Sequence, residues 1–171
     1  RMTAAGASVD VVMTRSAQEL VRPAAFHALT HRPVVTDLWV PTGPMGIDHV
    51  EIARAIDALV VAPATADVLA RLALGRADDA LAAVALVTRA PILVAPAMEP
   101  RMWSHPATRE HVAALVGRGV TLCGPLPGRM ASGEDGVGRL AEPETILDDI
   151  RVMLARAHGG DLAGRRVVVT A

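Results

Sequence analysis

The stretch VVAPATADVLARLA, residues 60–73, contains the two patterns that decide the fold. It opens as a short apolar run that ends at Pro63, and it closes with apolar side chains at the three-and-four spacing of a helix. Thr65 stands between the two, where its hydroxyl can cap the first helical turn. A strand that passes directly into a helix is the repeating unit of a parallel α/β sheet.

The same alternation recurs along the chain and predicts a parallel sheet with right-handed crossovers. Apolar runs typical of strands buried on both faces are Val9–Met13, Ala58–Ala62, Pro91–Ala95, Gly119–Cys123 and Arg166–Thr170. Helical spacing is found over Asp48–Asp57, Ala66–Leu74, Asp79–Val87, Thr108–Gly117 and Glu144–Ala157. We expect Thr108 to be an N-cap, and Glu142 and Pro143 to open the last long helix.

Composition excludes several classes of partner. The 171 residues are 51% hydrophobic, enough for one sizeable core, and the net charge of −1 shows no basic surface for nucleic acid or anionic membrane. No apolar run reaches the roughly 18–20 residues that cross a bilayer, and no signal pattern opens the chain, so we expect it in the cytoplasm. Cys123 is the single cysteine, which argues against a disulfide framework or a cysteine-based metal cluster. We expect it to pack in the core.

A second informative stretch is VAPAMEPRMWSHPA, residues 94–107. Its prolines fix φ and remove backbone donors, so we expect a shaped loop after the strand rather than a simple connection to a helix. Such a loop would lie at the carboxyl edge of the sheet, where open α/β sheets bind ligands. Met98, Met102 and Trp103 would then form a pocket wall, or they would only cover an exposed part of the core.

Two hydroxyl-bearing segments are expected at the same edge. The first strand ends in Thr14 and Ser16, whose hydroxyls could bind a ribityl chain or a phosphate. Thr65 could offer its hydroxyl and nearby N–H groups to a polar ligand, or it could be an ordinary cap. Pro63 favours a bend that faces a ligand.

His49 and a glycine-rich segment complete the candidates. His49 begins a predicted helix, and the positive helix end favours a neutral imidazole that can act as a base; a surface or capping role is the alternative. Residues 130–140, MASGEDGVGRL, have three glycines and few apolar anchors. They suit a mobile flap over a site or an exposed connecting loop.

These motifs occur together, in this order, in a known family. APATAD, the PAMxxxMW element, a histidine fourteen residues before Pro63, and ASGEDGVGRLAEP resemble the flavin-dependent cysteine decarboxylases. The similarity runs from Val9 to Ala171 and is greatest to the decarboxylase half of bifunctional phosphopantothenoylcysteine decarboxylase/phosphopantothenate–cysteine ligases. The resemblance implies a three-layer, doubly wound, flavodoxin-like (Rossmann-like) subunit. It also implies FMN bound at a subunit interface, in trimers that can assemble into a dodecamer.

The resemblance implies decarboxylation of 4'-phosphopantothenoylcysteine to 4'-phosphopantetheine in coenzyme A biosynthesis. In that family the flavin oxidises the cysteine side chain to a thioaldehyde, carbon dioxide leaves, and the enethiol is then reduced. His49 matches the active-site histidine that positions or deprotonates the substrate. The implied flavin contacts are Thr14, Ser16, Pro63, Ala64, Thr65 and Met98. The implied substrate contacts are Ala97, Glu99, Met102, Trp103 and Arg139, with the flap around Ser132.

Two residues depart from the family pattern. Glu99 replaces an asparagine that holds the substrate carboxylate, and an ionised glutamate would repel that group by about 1–4 kcal/mol. Either Glu99 is protonated, or it points away and Arg101 or Arg139 takes the anion. Ser132 replaces a flap cysteine that serves as the acid of the reduction, and serine is a far weaker acid.

Two other functions therefore stay open. Ser132 favours a peptidyl-cysteine decarboxylase that releases an enethiol, and Glu99 suits a non-catalytic flavin-binding regulatory protein. Both ends of the chain are expected to be cuts from a larger protein. Residues 1–158 are predicted to form the decarboxylase domain, lacking its first strand and glycine-rich loop. Residues 159–171 are predicted to be a linker and the first strand of a ligase domain.

Overall fold

The computed structural model describes residues 1–40, 42, 48–158 and 166–170. After a 3₁₀ turn at Thr3–Ala5, strands and helices alternate along these ranges. The strands are Ser8–Val12 (β1), Val34–Val35 (β2), Ala58–Ala64 (β3), Ile92–Pro96 (β4), Thr121–Leu122 (β5), Leu126–Arg129 (β6), Asp135–Arg139 (β7) and Arg166–Thr170 (β8). The helices are Arg15–Leu20 (α1), Pro23–Thr30 (α2), Asp48–Ala55 (α3), Ala66–Leu74 (α4), Ala80–Val87 (α5), Pro100–Ser104 (α6), Pro106–Gly117 (α7) and Pro143–His158 (α8).

In the described part of the chain, six strands form one sheet in the order β2-β1-β8-β3-β4-β5, and every pair is parallel. β6 and β7 pair separately as an antiparallel hairpin. The predicted parallel α/β sheet is therefore confirmed. No helix in the described ranges is long and apolar enough to cross a bilayer.

Side-chain alternation along the strands divides the core into two layers. Leu59 and Val61 point to the face covered by α3, α4, α5 and α7, whereas Ala58 and Val60 point to the face covered by α8. All four residues are fully buried. The sheet is thus covered by helices on both faces, which confirms the three-layer arrangement that the resemblance implied.

β8 occupies the centre of the sheet, between β1 and β3. The Arg166 backbone N–H donates to Asp57 Oδ2 over 2.8 Å, and the Arg166 guanidinium lies 3.6 Å from the buried Asp10 carboxylate. The predicted strand over Arg166–Thr170 is confirmed, and in this structure it belongs to the same sheet as residues 8–122. Its assignment to a ligase domain stays a prediction.

Several predicted boundaries differ from the structure, each for a local reason. The helix predicted from Thr108 begins two residues earlier, because Pro106 occupies its first position and His105 is the N-cap; the Thr108 cap is wrong, and that residue is buried inside the first turn. The loop expected after the fourth strand is also partly wrong. Proline is tolerated in the first turn of a helix, and Pro100 opens the short helix α6. Helices α1 and α2 were not predicted, because they are short.

Candidate active site

The carboxyl ends of β3 and β4 are bonded to each other beyond their regular pairing. Ala64 is the register partner of Pro96, and the Ala97 N–H donates to the Ala64 carbonyl over 3.1 Å. The segments predicted to contact the flavin and the substrate therefore meet at one edge of the sheet. Open α/β sheets place ligands at this edge.

Two N-caps line a cavity of about 290 Å³ at the same edge. Thr14 Oγ1 accepts from the Ala17 N–H over 3.2 Å, and Thr65 Oγ1 accepts from the Val68 N–H over 3.3 Å. Ser16 and Pro63 also line this cavity. The structure thus brings together four of the six predicted flavin contacts, and each hydroxyl can still donate its hydrogen to a ligand.

Five charged residues that were not predicted as site residues line the same cavity: Arg15, Asp67, Arg71, Asp78 and Asp79. Their sequence signals are ordinary ones. Asp67 and Arg71 are four residues apart on α4, and Asp79 directly precedes α5, which it caps. Such patterns are typical of surface helices, so they do not by themselves indicate a site.

The segment after β4 is docked against the β6–β7 hairpin through two glycines. The Met98 N–H donates to the Gly138 carbonyl over 3.0 Å. A Cβ on Gly138 would lie 2.0 Å from the Met98 carbonyl oxygen, and one on Gly136 would lie 2.6 Å from Pro100 Cγ. The predicted flap is therefore a hairpin that meets the candidate substrate segment backbone to backbone, and its mobility stays a prediction.

Helix α6 continues that segment and holds its aromatic residue. The Trp103 N–H donates to the Glu99 carbonyl over 3.0 Å, and only 9% of Trp103 is exposed. The Arg109 guanidinium stacks on the indole at 4.9 Å from the ring centroid, an attractive cation–π geometry. Met102 is half-exposed on the same helix. Trp103 is thus mainly a core residue, whereas Met102 is accessible to a ligand.

His49 lies in the first turn of α3. Because two residues join α3 to β3, the helix runs back across the sheet and its first turn lies at the level of the carboxyl edge. His49 Nδ1 is buried and has no hydrogen-bond partner among the described residues. His49 does not line the cavity that Thr14 and Thr65 share, so the structure does not bring it to those residues.

The two arginines considered as anion partners are paired elsewhere. Arg139 donates to Glu142 over 2.9 Å, and Arg101 lies 3.6 Å from Glu134. Arg139 also points to the face of β7 opposite Gly138, because side chains alternate along a strand. The structure therefore does not direct Arg139 toward Met98, and its role as a substrate contact stays a prediction.

Ser132 lies at the exposed turn of the hairpin, where its hydroxyl accepts from the Glu134 N–H over 3.4 Å. Cys123 is in a different place and is 1% exposed. Burial, together with the hydrogen bond and charge of Asp149, raises the pKa of the Cys123 thiol to about 12. The predicted core-packing role of Cys123 is confirmed, and it is too weak an acid to replace a flap cysteine.

A parallel sheet covered by helices on both faces, with a hydroxyl-lined cavity at its carboxyl edge, is typical of flavin- and nucleotide-binding proteins. Residues 1–155 match the Flavoprotein family, so the chain belongs to that family. More particularly, it is 46% identical over 175 aligned residues to the coenzyme A biosynthesis bifunctional protein CoaBC of Mycobacterium tuberculosis. It is 40% identical over 171 residues to the protein of that name from Bacillus subtilis. All of this chain is covered in both alignments, but only 41% and 42% of the relatives are.

Solved structures agree with the sequence relatives. The FMN-dependent cysteine decarboxylase SpaF superposes with a TM-score of 0.73 at 34% identity, over 86% of this chain and 78% of that one. A mutant PPC decarboxylase complexed with pantothenoylaminoethenethiol superposes with a TM-score of 0.69 at 28% identity, over 86% and 97% of the two chains. The resemblance to flavin-dependent cysteine decarboxylases is therefore confirmed.

Proposed function

We propose that this chain catalyses the FMN-dependent decarboxylation of 4'-phosphopantothenoylcysteine to 4'-phosphopantetheine. One structural observation supports this proposal most directly: backbone hydrogen bonds join the predicted flavin segment, the predicted substrate segment and the hairpin. Ala64, Ala97, Met98 and Gly138 form that chain of contacts. The similarity to proteins named for coenzyme A biosynthesis supports the choice of substrate.

The residues present fit a flavin. Thr14, Ser16 and Thr65 supply hydroxyl donors, and the cavity they line adjoins the first turns of α1 and α4, whose N–H groups favour an anionic or polar ligand. Met98 adjoins this edge and would contact the ring system, whereas Ala64 is fully buried and its flavin contact stays a prediction. Bound FMN would supply the redox chemistry, taking two electrons from the cysteine side chain and returning them after carbon dioxide has left.

The substrate side of the site is assigned to the segment after β4, to the hairpin and to His49. Ala97, Glu99, Met102 and Trp103 follow the last residue of β4, and the hairpin packs on Met98 and Pro100 of the same segment. The imidazole of His49, whose Nδ1 is buried and has no hydrogen-bond partner among the described residues, is the group proposed to exchange a proton with the substrate. The proposed role of His49 is to deprotonate or position the cysteine side chain.

Anaerobic incubation with FMN and 4'-phosphopantothenoylcysteine, followed by mass spectrometry, tests the proposal. We expect loss of carbon dioxide with the wild-type chain. His49→Gln should abolish turnover while flavin binding stays intact, and His111→Gln on α7 serves as the matched control. If the flavin-loaded wild-type protein leaves the carboxylate of 4'-phosphopantothenoylcysteine in place, the proposed reaction is contradicted.

Ser132 supports a second candidate, a cysteine decarboxylase that stops at the enethiol. Its side chain lies in an exposed turn and a serine hydroxyl is a weak acid, so the reductive step lacks an obvious proton donor in the hairpin. Accumulation of an enethiol from 4'-phosphopantothenoylcysteine, or turnover of a peptide with a carboxy-terminal cysteine, would favour this candidate. Complete conversion to 4'-phosphopantetheine would favour the first.

We also propose that the protein forms homo-oligomers, with trimers as the unit. Large apolar side chains are exposed close together in sequence on α1, α2 and the segment after β2. Their exposed fractions are 87% for Leu20, 68% for Leu29 and 85% for Trp39. Leu20 also lines the candidate flavin cavity, so a second copy on this surface would lie beside the cofactor. The fused ligase domain belongs to the same proposal, since the relatives named bifunctional extend well beyond the matched region.

A further inference from the structure

Arg71 is the central contact of a charged cluster beside the candidate flavin cavity. Its side chain projects from α4 and is only 22% exposed. Nη2 lies 2.7 Å from Asp67, Nε lies 3.5 Å from Asp78, and Nη1 is hydrogen bonded to Asp79. One guanidinium therefore contacts three carboxylates, two of them from the connection that follows α4.

The Asp79 carboxylate makes two contacts at once. Oδ1 accepts from the Ala82 N–H over 2.8 Å and so caps α5, while Oδ2 is bound to Arg71. The cap of α4 is Thr65, which lines the same cavity as Arg71 and Asp79. Arg71 thus ties the first turn of α5 to α4 and orients the cavity wall that the two helices build.

Arg71 also sets the charge of this wall. Among the described residues, two arginines, Arg15 and Arg71, and three aspartates line the cavity, and their formal charges sum to −1. Burial by itself would lower the pKa of the Arg71 guanidinium, but the charges of Asp79, Asp67 and Asp78 outweigh burial and raise it. Arg71 therefore stays charged, and replacing it with a neutral residue would bring the wall to −2.

We propose that Arg71 is a positioning residue for the cofactor, which aligns the α4–α5 wall and cancels enough negative charge there for an anionic flavin to bind. This inference rests on the proposed function, because FMN is the ligand concerned. It adds a requirement beyond the six residues proposed above as flavin contacts. The requirement is both geometric and electrostatic, and the two parts can be tested separately.

The test is FMN titration by flavin fluorescence, on the full chain and four variants. Arg71→Gln should raise the Kd for FMN by about tenfold or more, whereas Arg71→Lys, which keeps the charge, should raise it by less. Adding Asp78→Asn to Arg71→Gln should recover at least about threefold, because it removes negative charge without removing a cap. Arg76→Gln is the matched control, since Arg76 pairs with the same Asp78 but does not line the cavity.

The outcomes separate this inference from the proposed function. A wild-type chain that does not bind FMN would overturn the proposed function, and the inference with it. If the wild type binds FMN, an Arg71→Gln Kd equal to that of Arg76→Gln would overturn the inference alone. Should Arg71→Gln fail to fold by far-UV circular dichroism, Asp78→Asn in the otherwise wild-type chain decides. Tighter FMN binding by that variant supports the electrostatic requirement, and an unchanged Kd refutes it.

Discussion

Replacing Gly138 with alanine should separate the hairpin from the substrate segment. The new Cβ would lie 2.0 Å from the Met98 carbonyl oxygen and 3.3 Å from both Met98 C and Met130 Sδ. The nearest neighbour is backbone, so no side-chain rotation can relieve the overlap. The φ angle of Gly138 is not in the left-handed region, so alanine itself is compatible with the local backbone. The substitution therefore tests close approach and not conformational strain.

The expected cost follows from the contact that must break. β7 has to move outward by more than about 1 Å to reach ordinary van der Waals separation. That movement breaks the 3.0 Å hydrogen bond from the Met98 N–H to the Gly138 carbonyl. A hydrogen bond lost with its groups left partly buried costs about 1–3 kcal/mol. The ratio of docked to undocked hairpin should then fall about 5- to 150-fold, taking 1.4 kcal/mol as tenfold.

Amide hydrogen exchange at Met98 measures this ratio, because the amide exchanges from the undocked state. We expect exchange at Met98 to accelerate by about tenfold or more in Gly138→Ala, and turnover of 4'-phosphopantothenoylcysteine to fall in parallel. Gly117→Ala is the matched control, because a Cβ there meets nothing within 4 Å. Met98 exchange as slow as in the wild type, in a folded Gly138→Ala protein, would refute the docking geometry and the argument built on it.

Three further predictions concern single side chains. Thr65→Ala should cost about 0.5–2 kcal/mol of unfolding free energy by denaturant titration and weaken FMN binding, whereas Thr65→Ser should do neither if the hydroxyl is what matters. His105→Ala should cost about 0.5–1 kcal/mol, because its Nδ1 accepts from the Ala107 N–H as the cap of α7, and His105→Ser should retain that stability. Cys123 should resist thiol reagents at pH 8 until the protein unfolds. The pKa of the Cys123 thiol is raised to about 12 in the folded state. The stability that this raised pKa contributes is therefore fully present below about pH 8.5, the pKa of an unfolded cysteine, and is lost as pH rises from there toward 12.

The sheet could be predicted from the sequence because its strands are buried on both faces. Val9–Met13 and Ala58–Ala62 need apolar side chains at nearly every position, and such runs differ plainly from the three-and-four spacing of the helices between them. Thr65 was predictable as a cap for a similar reason, since the apolar pattern changes on either side of it. The Thr108 cap failed because a neighbouring histidine and proline provide a better start for the helix.

The docking of the hairpin could not be predicted in the same way. Glycines in MASGEDGVGRL indicate a turn or a flexible loop. Nothing in the local pattern distinguishes a glycine that makes the backbone flexible from one whose missing side chain lets another backbone segment pack closely against it. Gly136 and Gly138 are of the second kind, and their partners Pro100 and Met98 lie about forty residues earlier in the chain. Contacts defined by the absence of a side chain leave no periodic signal.

The centre of the sheet controls the candidate site without contributing a side chain to it. Thr14 follows β1 and Thr65 follows β3, but these strands are not neighbours, because β8 lies between them. Two interstrand spacings of about 4.8 Å put the ends of β1 and β3 about 10 Å apart, and this distance sets the width of the cavity between the two caps. The side chains of Asp10 and Asp57 hold Arg166 at the opposite end of the same strands. The register of the central strand therefore fixes the relative position of Thr14 and Thr65. A change in the strand that lies between β1 and β3 would alter the cavity, although that strand contributes no side chain to it.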